Sequence, residues 1–408
     1  MRFHSYFNSA VKILQSYDGS IPLSHFLKRY FAENKKHGST DRKFIAHACY
    51  CYFRMGHALK ELSIEKRLKT AIFLCNENAG EWYVLYDEEW LKTWSSSLHE
   101  RVSFVASVYT SFSLNDVFPF AGHLSDGIEA GAFVQSHFVQ PDVFLRIRPH
   151  HHEHVIRTLQ QDNIPFSIIE DDCIELPANI NVEKFLKLDE EVVVQDYSSQ
   201  RIKNYLQLAD PAIKNGKSEM KYPKSEIRNQ KSILDCCAGS GGKSILAYDV
   251  LQNVQLTATD IRASIIHNLK QRFQKAGIKN YKSFIIDVTK PIPEAFPLGN
   301  GESFDLIICD APCTGSGTWS RTPEQLYFFE AKRINEYAAL QMKIITNAVP
   351  LRKQDGYFLY VTCSVFKEEN EEIVMFIKQQ FHLKLIQMEL LKGYDKKADT
   401  MFVALFQR

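Results

Sequence analysis

The chain has 408 residues, of which 45% are hydrophobic and 24% are charged, and its net charge is +1. At roughly 150 residues per domain this length suggests two to four domains, and the composition excludes a disordered, collagenous or coiled-coil protein. No apolar run reaches the roughly 20 residues of a membrane-spanning helix. The N-terminus also lacks the apolar stretch of a signal peptide. We therefore expect a cytoplasmic protein with no membrane partner.

The basic residues are unevenly distributed along the chain. Residues 1–70 contain 13 Lys or Arg and 5 Asp or Glu, a net charge of +8. Residues 201–231 contain 8 against 3, a net charge of +5. Two basic regions in a neutral chain are what phosphate contacts need, although charge alone leaves solvated surface as an equal alternative.

The first 120 residues are predicted to form an all-helical domain. Apolar positions recur at spacings of three and four in FNSAVKILQSY, PLSHFLKRYFAE and RKFIAHACYCYFRMGHALKEL. Ser39, Thr40 or Asp41 can cap the third of these helices. Glycines and prolines between Ser113 and Gly131 exclude a helix there.

From about Asp142 the pattern changes to short strands. VFLRIRP, FSIIE and CIEL are predicted strands and EHVIRTLQQDN a helix. VVVQDYSS closes this unit, and together the segments predict a small α/β domain over residues 125–197. The stretch from Ile213 to Lys231 is polar and lysine-rich, and we expect it to be a mobile loop.

Residues 198–408 are predicted to form a Rossmann-like domain, so the fold class is α/β. Strands alternate with helices to the C-terminus, which predicts a mostly parallel sheet covered on both faces. The predicted strands are SILDCCA, QLTATD, YKSFIID, FDLIICD, GYFLYVTCS and MFVALFQR. One long helix is expected over PEQLYFFEAKRINEYAALQMKIITNAV.

Four of these strands end in an acid or place one directly after the strand: Asp235, Asp260, Asp287 and Asp310. Ligands of open α/β sheets bind outside the carboxyl ends of the strands. Four acids at that edge indicate a polar ligand with several hydroxyl or amino groups. For Asp235, a ligand contact and a cap of the following glycine turn are equally good interpretations.

The glycine turn, Asp235 to Ser244, reads DCCAGSGGKS. A phosphate-binding P-loop would need a glycine at Cys237, and the dinucleotide fingerprint would need one at Ser244. A loop for S-adenosylmethionine fits better, because Asp260 ends the second strand 25 residues after Asp235. There it can accept hydrogen bonds from both ribose hydroxyls.

Two later turns each place a thiol at the same edge of the sheet. Cys313 follows the fourth strand in DAPCTGSG, and Cys363 follows the fifth in TCS. Free cysteines are often small core residues, but these two stand past the strand ends beside Gly, Pro and Ser. We therefore interpret them as site residues.

The other cysteines are interpreted as structural, and no metal site is expected. The chain contains no CxxC pair, which argues against structural zinc. The run of histidines from His150 to His154 is interpreted as a solvated turn. The cysteines interpreted as structural are Cys49, Cys51, Cys75, Cys173, Cys236 and Cys309.

Over nearly the whole chain, these motifs resemble the RsmB/Sun-like RNA cytosine-5 methyltransferases. LDCCAGSGGKS resembles the family's cofactor loop, DAPCTGSGTWSRTPE its proline-cysteine motif and YVTCSVFKEENE its threonine-cysteine-serine motif. VVVQDYSSQ resembles the segment before the catalytic domain, and ADTMFVALF the final strand. KHGSTDRKFIAHACYCYFR resembles the NusB-like RNA-binding domain of the bacterial RsmB branch.

The chain departs from the family pattern at a few positions. Gly239-Ser240 replaces Ala-Pro, Ser244 replaces Thr, and Ser320-Arg321 replaces an Arg pair. The polar insertion before Lys231 is also unusual. None of these departures removes a cysteine or an acid of the motifs.

The resemblance implies a class I methyltransferase that uses S-adenosylmethionine and acts as a monomer on RNA, specifically small-subunit ribosomal RNA. It assigns the nucleophile to Cys363, product release to Cys313 and a hydrogen bond to the target base to Asp310. Lys243 is open between a cofactor, a thiolate and an RNA contact. The implied cofactor-binding residues are Cys237, Ala238, Gly239, Ser240, Gly241, Gly242, Lys243, Asp260, Asp287 and Asp310.

Other functions remain as alternatives. Transfer RNA is a second possible substrate, and a catalytically silent ribosome-assembly factor would use the fold only to bind RNA. DNA cytosine-5 methylation would make Cys313 the nucleophile, and the Cys363 motif argues against it. Amino-group methylation would need an Asn/Asp-Pro-Pro-aromatic motif at Asp310, where the chain has Ala-Pro-Cys instead.

Overall fold

A computed structural model describes residues 2–94, 96–178, 180–210, 230–292 and 303–408. The predicted loop from Ile213 to Lys231 lies, up to Asn229, outside the described residues. None of the described helices is long and apolar enough to cross a bilayer. The α-helices are α1 (Arg2–Ser16), α2 (Leu23–Glu33), α3 (Ser39–Arg54), α4 (Ile64–Cys75), α5 (Glu88–Trp94), α6 (Leu98–Val108), α7 (Ala130–Ser136), α8 (His152–Gln161), α9 (Tyr197–Gln200), α10 (Ile202–Leu208), α11 (Gly242–Leu251), α12 (Ala263–Lys275), α13 (Pro323–Phe328), α14 (Lys332–Ala348) and α15 (Glu371–Phe381).

Two sheets contain the strands of the described residues. The strands are β1 (Val143–Ile147), β2 (Ser167–Glu170), β3 (Cys173–Leu176), β4 (Val192–Val194), β5 (Lys231–Asp235), β6 (Val254–Asp260), β7 (Tyr281–Ile285), β8 (Phe304–Asp310), β9 (Arg352–Thr362), β10 (Lys384–Leu391) and β11 (Met401–Gln407). Short 3₁₀ helices span Gly80–Leu85, Leu114–Val117, Ala121–His123, Val182–Lys184, Ser316–Thr318, Val349–Leu351, Lys367–Glu369 and Tyr394–Lys396.

The larger sheet has the strand order β10-β11-β9-β8-β5-β6-β7. Strands β5 to β9 pair in parallel, whereas β11 is antiparallel to β9 and to β10. One face packs against α10, α11 and α12, and the other against α14 and α15. The predicted α/β fold with a mostly parallel, doubly covered sheet is therefore confirmed.

Strand β10 is absent from the sequence prediction. It lies at the edge of the sheet, and most of its side chains are exposed or half-buried. Its sequence, KLIQMELL, therefore lacks the continuous apolar run by which the central strands were recognised. Edge strands bury less surface, so their sequence pattern is weaker.

The smaller sheet has the order β2-β3-β1-β4, and its recorded strand pairs are antiparallel. Together with α8 it encloses a separate apolar core that includes Leu145, Leu159 and Ile174. Strands β1 to β3 and helix α8 lie where the sequence predicted them. The closing segment VVVQDYSS forms β4 and then passes into α9.

The described chain divides into two compact units. The helical unit contains residues 1–124, 128–141 and 318–331, and the sheet-containing unit contains residues 125–127, 142–317 and 332–408. Both sheets belong to the second unit. The division into three domains at 1–120, 125–197 and 198–408 stays a prediction.

The predicted long helix after the fourth parallel strand is two helices. Helix α13 ends at Phe328 and α14 begins at Lys332. Residues 318–331, which include α13, pack within the helical unit: the side chain of Glu324 accepts a hydrogen bond from the backbone N–H of Leu23. The periodicity of apolar residues continues through both helices, so the sequence alone does not mark this break.

Helix α3 ends at Arg54, although the apolar periodicity predicted a longer helix. The guanidinium group of Arg67, which is fully buried, donates hydrogen bonds to the carbonyls of Tyr52, Gly56 and Ala58 at 2.8 to 2.9 Å. These carbonyls lie at the end of α3, where the helix offers no further N–H groups to bond them. Arg67 therefore terminates α3 and joins it to α4.

We expect Arg67→Lys to lower the free energy of unfolding by about 3 kcal/mol, because an ammonium group cannot reach three carbonyls in the planar geometry of a guanidinium. Chemical denaturation of both proteins measures the difference. Arg29→Lys, at an exposed position of the helical unit, is the matched control and should change stability little. Equal stability of Arg67→Lys and the parent protein would contradict this role.

Candidate active site

The carboxyl ends of β5 to β8 surround a cavity of about 380 Å³. Three of the four predicted acids line it: Asp260 at the end of β6, Asp287 just past β7, and Asp310 at the end of β8. Asp235 is buried at the end of β5, outside the cavity lining. The lining residues are Cys236, Cys237, Asp260, Ile261, Arg262, Ile286, Asp287, Val288, Thr289, Asp310, Pro312, Leu340 and Ile344.

Apolar side chains make up another part of the cavity lining. Val288, Leu340 and Ile344 contribute to it, and Ile261 directly follows Asp260 with 59% of its surface exposed. An exposed isoleucine in a cavity offers a flat apolar surface that a planar ring would cover. Ile261 was not identified from the sequence. The one feature that could have indicated it is its position directly after the strand-ending Asp260.

The predicted cofactor loop, residues 237–243, forms a tight turn between β5 and α11. Gly241 has a φ of +85°, and a Cβ atom there would lie 2.7 Å from the ring of Phe273. Any other residue would therefore be strained and would clash. The N–H of Gly239 donates to Asp260 at 3.2 Å, so the turn also contacts an acid of the cavity.

The outer side of this loop is held by an ion pair that the sequence analysis missed. Arg272 on α12 donates to the carbonyl and to the Oγ of Ser240, at 3.2 and 3.0 Å. Its guanidinium also pairs with Asp189, which precedes β4, at 2.7 Å. The region of the smaller sheet therefore supports the cofactor loop.

Asp260 and Asp287 are both held by hydrogen bonds. The two carboxylate oxygens of Asp260 accept from the side chain of Arg262 at 2.9 Å. These bonds outweigh the effect of burial and hold the pKa of Asp260 below its usual value. Asp287 accepts a hydrogen bond from the Thr289 side chain, which lowers the pKa of Asp287. Both acids are therefore ionised at neutral pH.

The two predicted thiols lie together beside the cavity. The sulfurs of Cys313 and Cys363 are 3.2 Å apart. Pairing of β8 with β9 places Asp310 opposite Val361, so the turns that follow the two strands leave the sheet side by side. The hydrogen bond to Cys363, together with burial, raises the pKa of Cys313 well above that of a free thiol.

A buried lysine lies between the thiols and the glycine turn. Lys243 is 9% exposed, and its ammonium group pairs with Asp310 at 2.6 Å. Burial disfavours the charged lysine, but its attraction to Asp310 and also to Cys363 raises the pKa of Lys243. Lys243 therefore stays protonated and places a positive charge near Cys363.

A buried carboxylate that the sequence analysis did not assign connects the two cysteine turns. Glu369 is completely buried and accepts four hydrogen bonds. The donors are the N–H and Oγ1 of Thr314 at 2.9 and 2.6 Å, the Oγ of Ser364 at 2.6 Å, and the Nε2 of Gln341 at 3.0 Å. Burial raises the pKa of Glu369, and these donors oppose the rise. The acid-rich run KEENE contained no spacing that distinguished Glu369 from its neighbours.

Gly317 connects the turns of the two cysteines to the segment just before β11. Its N–H donates to the carbonyl of Cys363, and its own carbonyl accepts from Thr400, both at 2.9 Å. A Cβ atom on Gly317 would lie 1.9 Å from the Thr400 carbonyl oxygen, so only glycine fits. The turns of both cysteines and the start of β11 are thereby in direct contact.

Asp235 is hydrogen-bonded to the first turn of the helix that follows the glycine turn. Its carboxylate accepts a 2.6 Å hydrogen bond from the Oγ of Ser244 in the first turn of α11. Burial raises the pKa of Asp235 to about 7, and this hydrogen bond opposes the rise. Of the two interpretations left open by the sequence, the contact with Ser244 supports the structural one.

Because the pKa of Asp235 is higher in the folded state than in the unfolded state, the folded protein binds the extra proton between about pH 4 and 7. This group therefore makes the free energy of unfolding fall as pH rises through that window, by up to about 1.4 kcal/mol per pH unit. Asp235→Asn should remove that slope. Urea denaturation at several pH values measures it.

The control is Asp305→Asn. Against burial, hydrogen bonds from Lys353 and Ser232 lower the pKa of Asp305, so its contribution is constant above about pH 4 and is lost only in more acid solution. The stability difference between parent and variant should vary from pH 4 to 7 for Asp235 but not for Asp305. A constant difference for Asp235 would contradict the raised pKa.

Comparison with known proteins finds relatives among RNA methyltransferases. The sequence model described as 16S rRNA methyltransferase RsmB/F matches residues 225–405. The ribosomal RNA small subunit methyltransferase F of Psychromonas ingrahamii is 31% identical over 42% of this chain and 35% of that protein. The corresponding methyltransferase B of Enterobacter sp. (strain 638) is 29% identical over 61% of this chain and 54% of that protein.

A third relative is the mouse tRNA (cytosine(72)-C(5))-methyltransferase NSUN6, 33% identical over 37% of this chain and 33% of that protein. The chain thus spans about a third to a half of the length of these curated relatives. Among solved structures, PH0851 has the same fold over 98% of this chain and 97% of its own, with a TM-score of 0.68 at 19% identity. The chain is therefore similar to the RsmB/Sun family, and the similarity to the RsmB/F methyltransferase model lies in residues 225–405.

Proposed function

We propose that this protein is an S-adenosylmethionine-dependent RNA cytosine-5 methyltransferase that acts on small-subunit ribosomal RNA. The observation that carries the proposal is the pair of sulfurs, 3.2 Å apart, beside a cavity with an acid rim and an apolar wall. Cytosine C5 is a poor nucleophile until a thiolate has added to C6, so this chemistry needs a cysteine next to the methyl donor. The printed names of the relatives, which include rRNA and tRNA methyltransferases, are consistent with it.

The cavity fits the adenosine and methionine parts of the cofactor. Asp260 would accept the ribose hydroxyls, and for this the side chain of Arg262, 61% exposed, would swing away. Asp287 would bind the adenine amino group, and Ile261 would cover the ring. The backbone of the 237–243 turn would hold the methionine part, since its glycines allow close approach. When bound, the cofactor supplies the methyl group.

The charges around the two sulfurs support Cys363 as the nucleophile. Lys243 places a positive charge near Cys363, whereas the hydrogen bond to Cys363, burial and the carboxylate of Glu369 raise the pKa of Cys313. Cys313 therefore stays protonated and can donate a hydrogen bond to the sulfur of Cys363. The thiolate, not the thiol, attacks carbon. Of the roles left open for Lys243, this geometry favours the thiolate.

Release of the product would then depend on Cys313. Once Cys363 is bonded to C6, it no longer accepts the hydrogen bond that raises the pKa of Cys313. Cys313 then loses its proton to solvent more easily, and its thiolate removes the proton from C5. The electron pair of that C–H bond restores the C5–C6 double bond and expels Cys363 as a thiolate. Asp310, at the cavity, would hydrogen-bond the base.

RNA is the proposed partner because the target base must leave its stack to reach the two half-buried thiols. Cytosines in loops and single strands do so most easily. The net charge of +8 in residues 1–70 lies in the helical unit and supports phosphate contacts. The NSUN6 relative keeps transfer RNA as the second candidate substrate.

Asp260→Ala should weaken S-adenosylmethionine binding by roughly 10- to 100-fold, because a carboxylate that accepts charge-assisted or hydroxyl hydrogen bonds contributes about 1.5 to 3 kcal/mol. Isothermal calorimetry measures cofactor affinity, and filter binding measures RNA affinity, which should be nearly unchanged. Asp355→Ala, at an exposed position on β9, should change neither. Equal loss of both affinities in Asp260→Ala would contradict the ribose contact.

The two cysteines should give opposite results in an adduct assay. Cys363→Ala cannot form the bond to C6 and should abolish methyl transfer. Cys313→Ala should still form it but release it poorly, so a denaturation-resistant, RNase-sensitive protein–RNA band should accumulate. Tritiated methyl transfer to total ribosomal and transfer RNA measures activity and substrate class, and a denaturing gel measures the adduct.

Cys173→Ala, which removes a buried cysteine of the smaller sheet, is the matched control and should behave as the parent protein. An adduct that persists in Cys363→Ala but is lost in Cys313→Ala would indicate the DNA-type mechanism. A parent protein that forms no adduct with RNA containing 5-fluorocytosine and transfers no methyl group would favour the silent assembly factor.

A further inference from the structure

Three thiols other than the catalytic pair lie together behind the cavity. The sulfurs of Cys236, Cys237 and Cys309 are all within 4.8 Å of one another, which is the one such group of potential metal ligands in the part of the chain that the structure describes. Parallel pairing of β5 with β8 causes the juxtaposition: Asp235 pairs with Ile308, so the next residues, Cys236 and Cys309, are neighbours. We call these residues the thiol triad.

The triad lies between the core and the cavity. Cys236 and Cys309 are 1% and 0% exposed, and both belong to the apolar core on the α14 side of the sheet. Cys237 is half-buried, and it lines the cavity together with Cys236. Each thiol hydrogen-bonds to the other two. A ligand that enters through the cavity therefore meets Cys237 first.

The surroundings of the triad disfavour a net charge. Cys236 and Cys309 are buried in the apolar core, where a charge that is not fully paired is costly. The net charge of the complex that forms therefore decides which ligand fits the site.

These conditions discriminate between possible ligands. A divalent ion such as Zn²⁺ or Cd²⁺ would require three thiolates and leave a net charge of −1 on a complex buried against the apolar core, which is unfavourable. Trivalent arsenic avoids this cost. In the exchange As(OH)₃ + 3 RSH → As(SR)₃ + 3 H₂O, three As–O and three S–H bonds break, and three As–S and three O–H bonds form. The product is neutral, and no oxidant is needed.

We propose that the thiol triad is a binding site for trivalent thiophilic metalloids, with arsenite as the representative ligand, and that occupancy alters the wall of the cofactor cavity. Three thiols displace all three hydroxyl groups of arsenite. The catalytic pair, Cys313 and Cys363, offers only two and would leave one hydroxyl group in place. The binding claim does not depend on the proposed function, whereas competition with the cofactor does.

Native mass spectrometry of the reduced full chain with arsenite tests the site. We expect one arsenic atom bound with loss of three water molecules. Cys237→Ser, Cys236→Ala and Cys309→Ala should each weaken binding by at least roughly tenfold, because each removes one of three covalent bonds to the metalloid. Cys173→Ala should bind as the parent chain does, and thermal unfolding of each variant checks that it is folded.

The measurement also distinguishes the alternatives. If binding is unchanged in all three triad variants, or is lost in Cys313→Ala instead, the proposal is wrong. Zn²⁺ binding the parent chain more tightly than arsenite, with loss in the triad variants, would overturn the choice of a neutral complex. S-adenosylmethionine should slow arsenite binding to the parent chain. Undisturbed binding that still requires the triad would support the metalloid site and count against the proposed cofactor position.

Discussion

The position of the paired thiols depends on the hydrogen bonds that the buried carboxylate of Glu369 accepts. Each of its two oxygens accepts two hydrogen bonds, and the donors include Thr314 from one cysteine turn and Ser364 from the other. Thr314 directly follows Cys313, and Ser364 directly follows Cys363. A buried carboxylate without such donors would cost several kcal/mol, so the two turns can satisfy Glu369 only when they lie side by side. The sulfur separation of 3.2 Å is a consequence.

The same arrangement makes two chemically identical side chains unequal. Glu369 adds negative charge near Cys313, and Lys243 adds positive charge near Cys363. Lys243 stays charged despite burial because Asp310 pairs with it. The acid assigned to the target base is thus also the group that keeps the lysine protonated. The charges around the two sulfurs, rather than any chemical difference between the thiols, would therefore decide which one attacks.

Much of the fold was predictable because its signals are local. Apolar strands separated by crossover helices indicated the parallel sheet, and acids at strand ends indicated Asp260, Asp287 and Asp310 at the cavity. What the sequence did not reveal depends on distant partners. Arg67 and Glu369 are ordinary charged residues in sequence and become structural only through carbonyls and hydroxyls brought to them by folding. The thiol triad likewise exists only through the register of β5 with β8.

The helical unit shows why a domain boundary drawn along the sequence is incomplete. Residues 318–331 follow the proline-cysteine turn, yet they pack among residues of the N-terminal helices. Trp319 is fully buried, with ring contacts to Phe118 and Phe120. Removing the N-terminal residues would expose this tryptophan and the apolar side of α13, a cost of about 2 to 3 kcal/mol for each large side chain. The N-terminal helices therefore form one packed unit with residues 318–331, although these are distant in sequence.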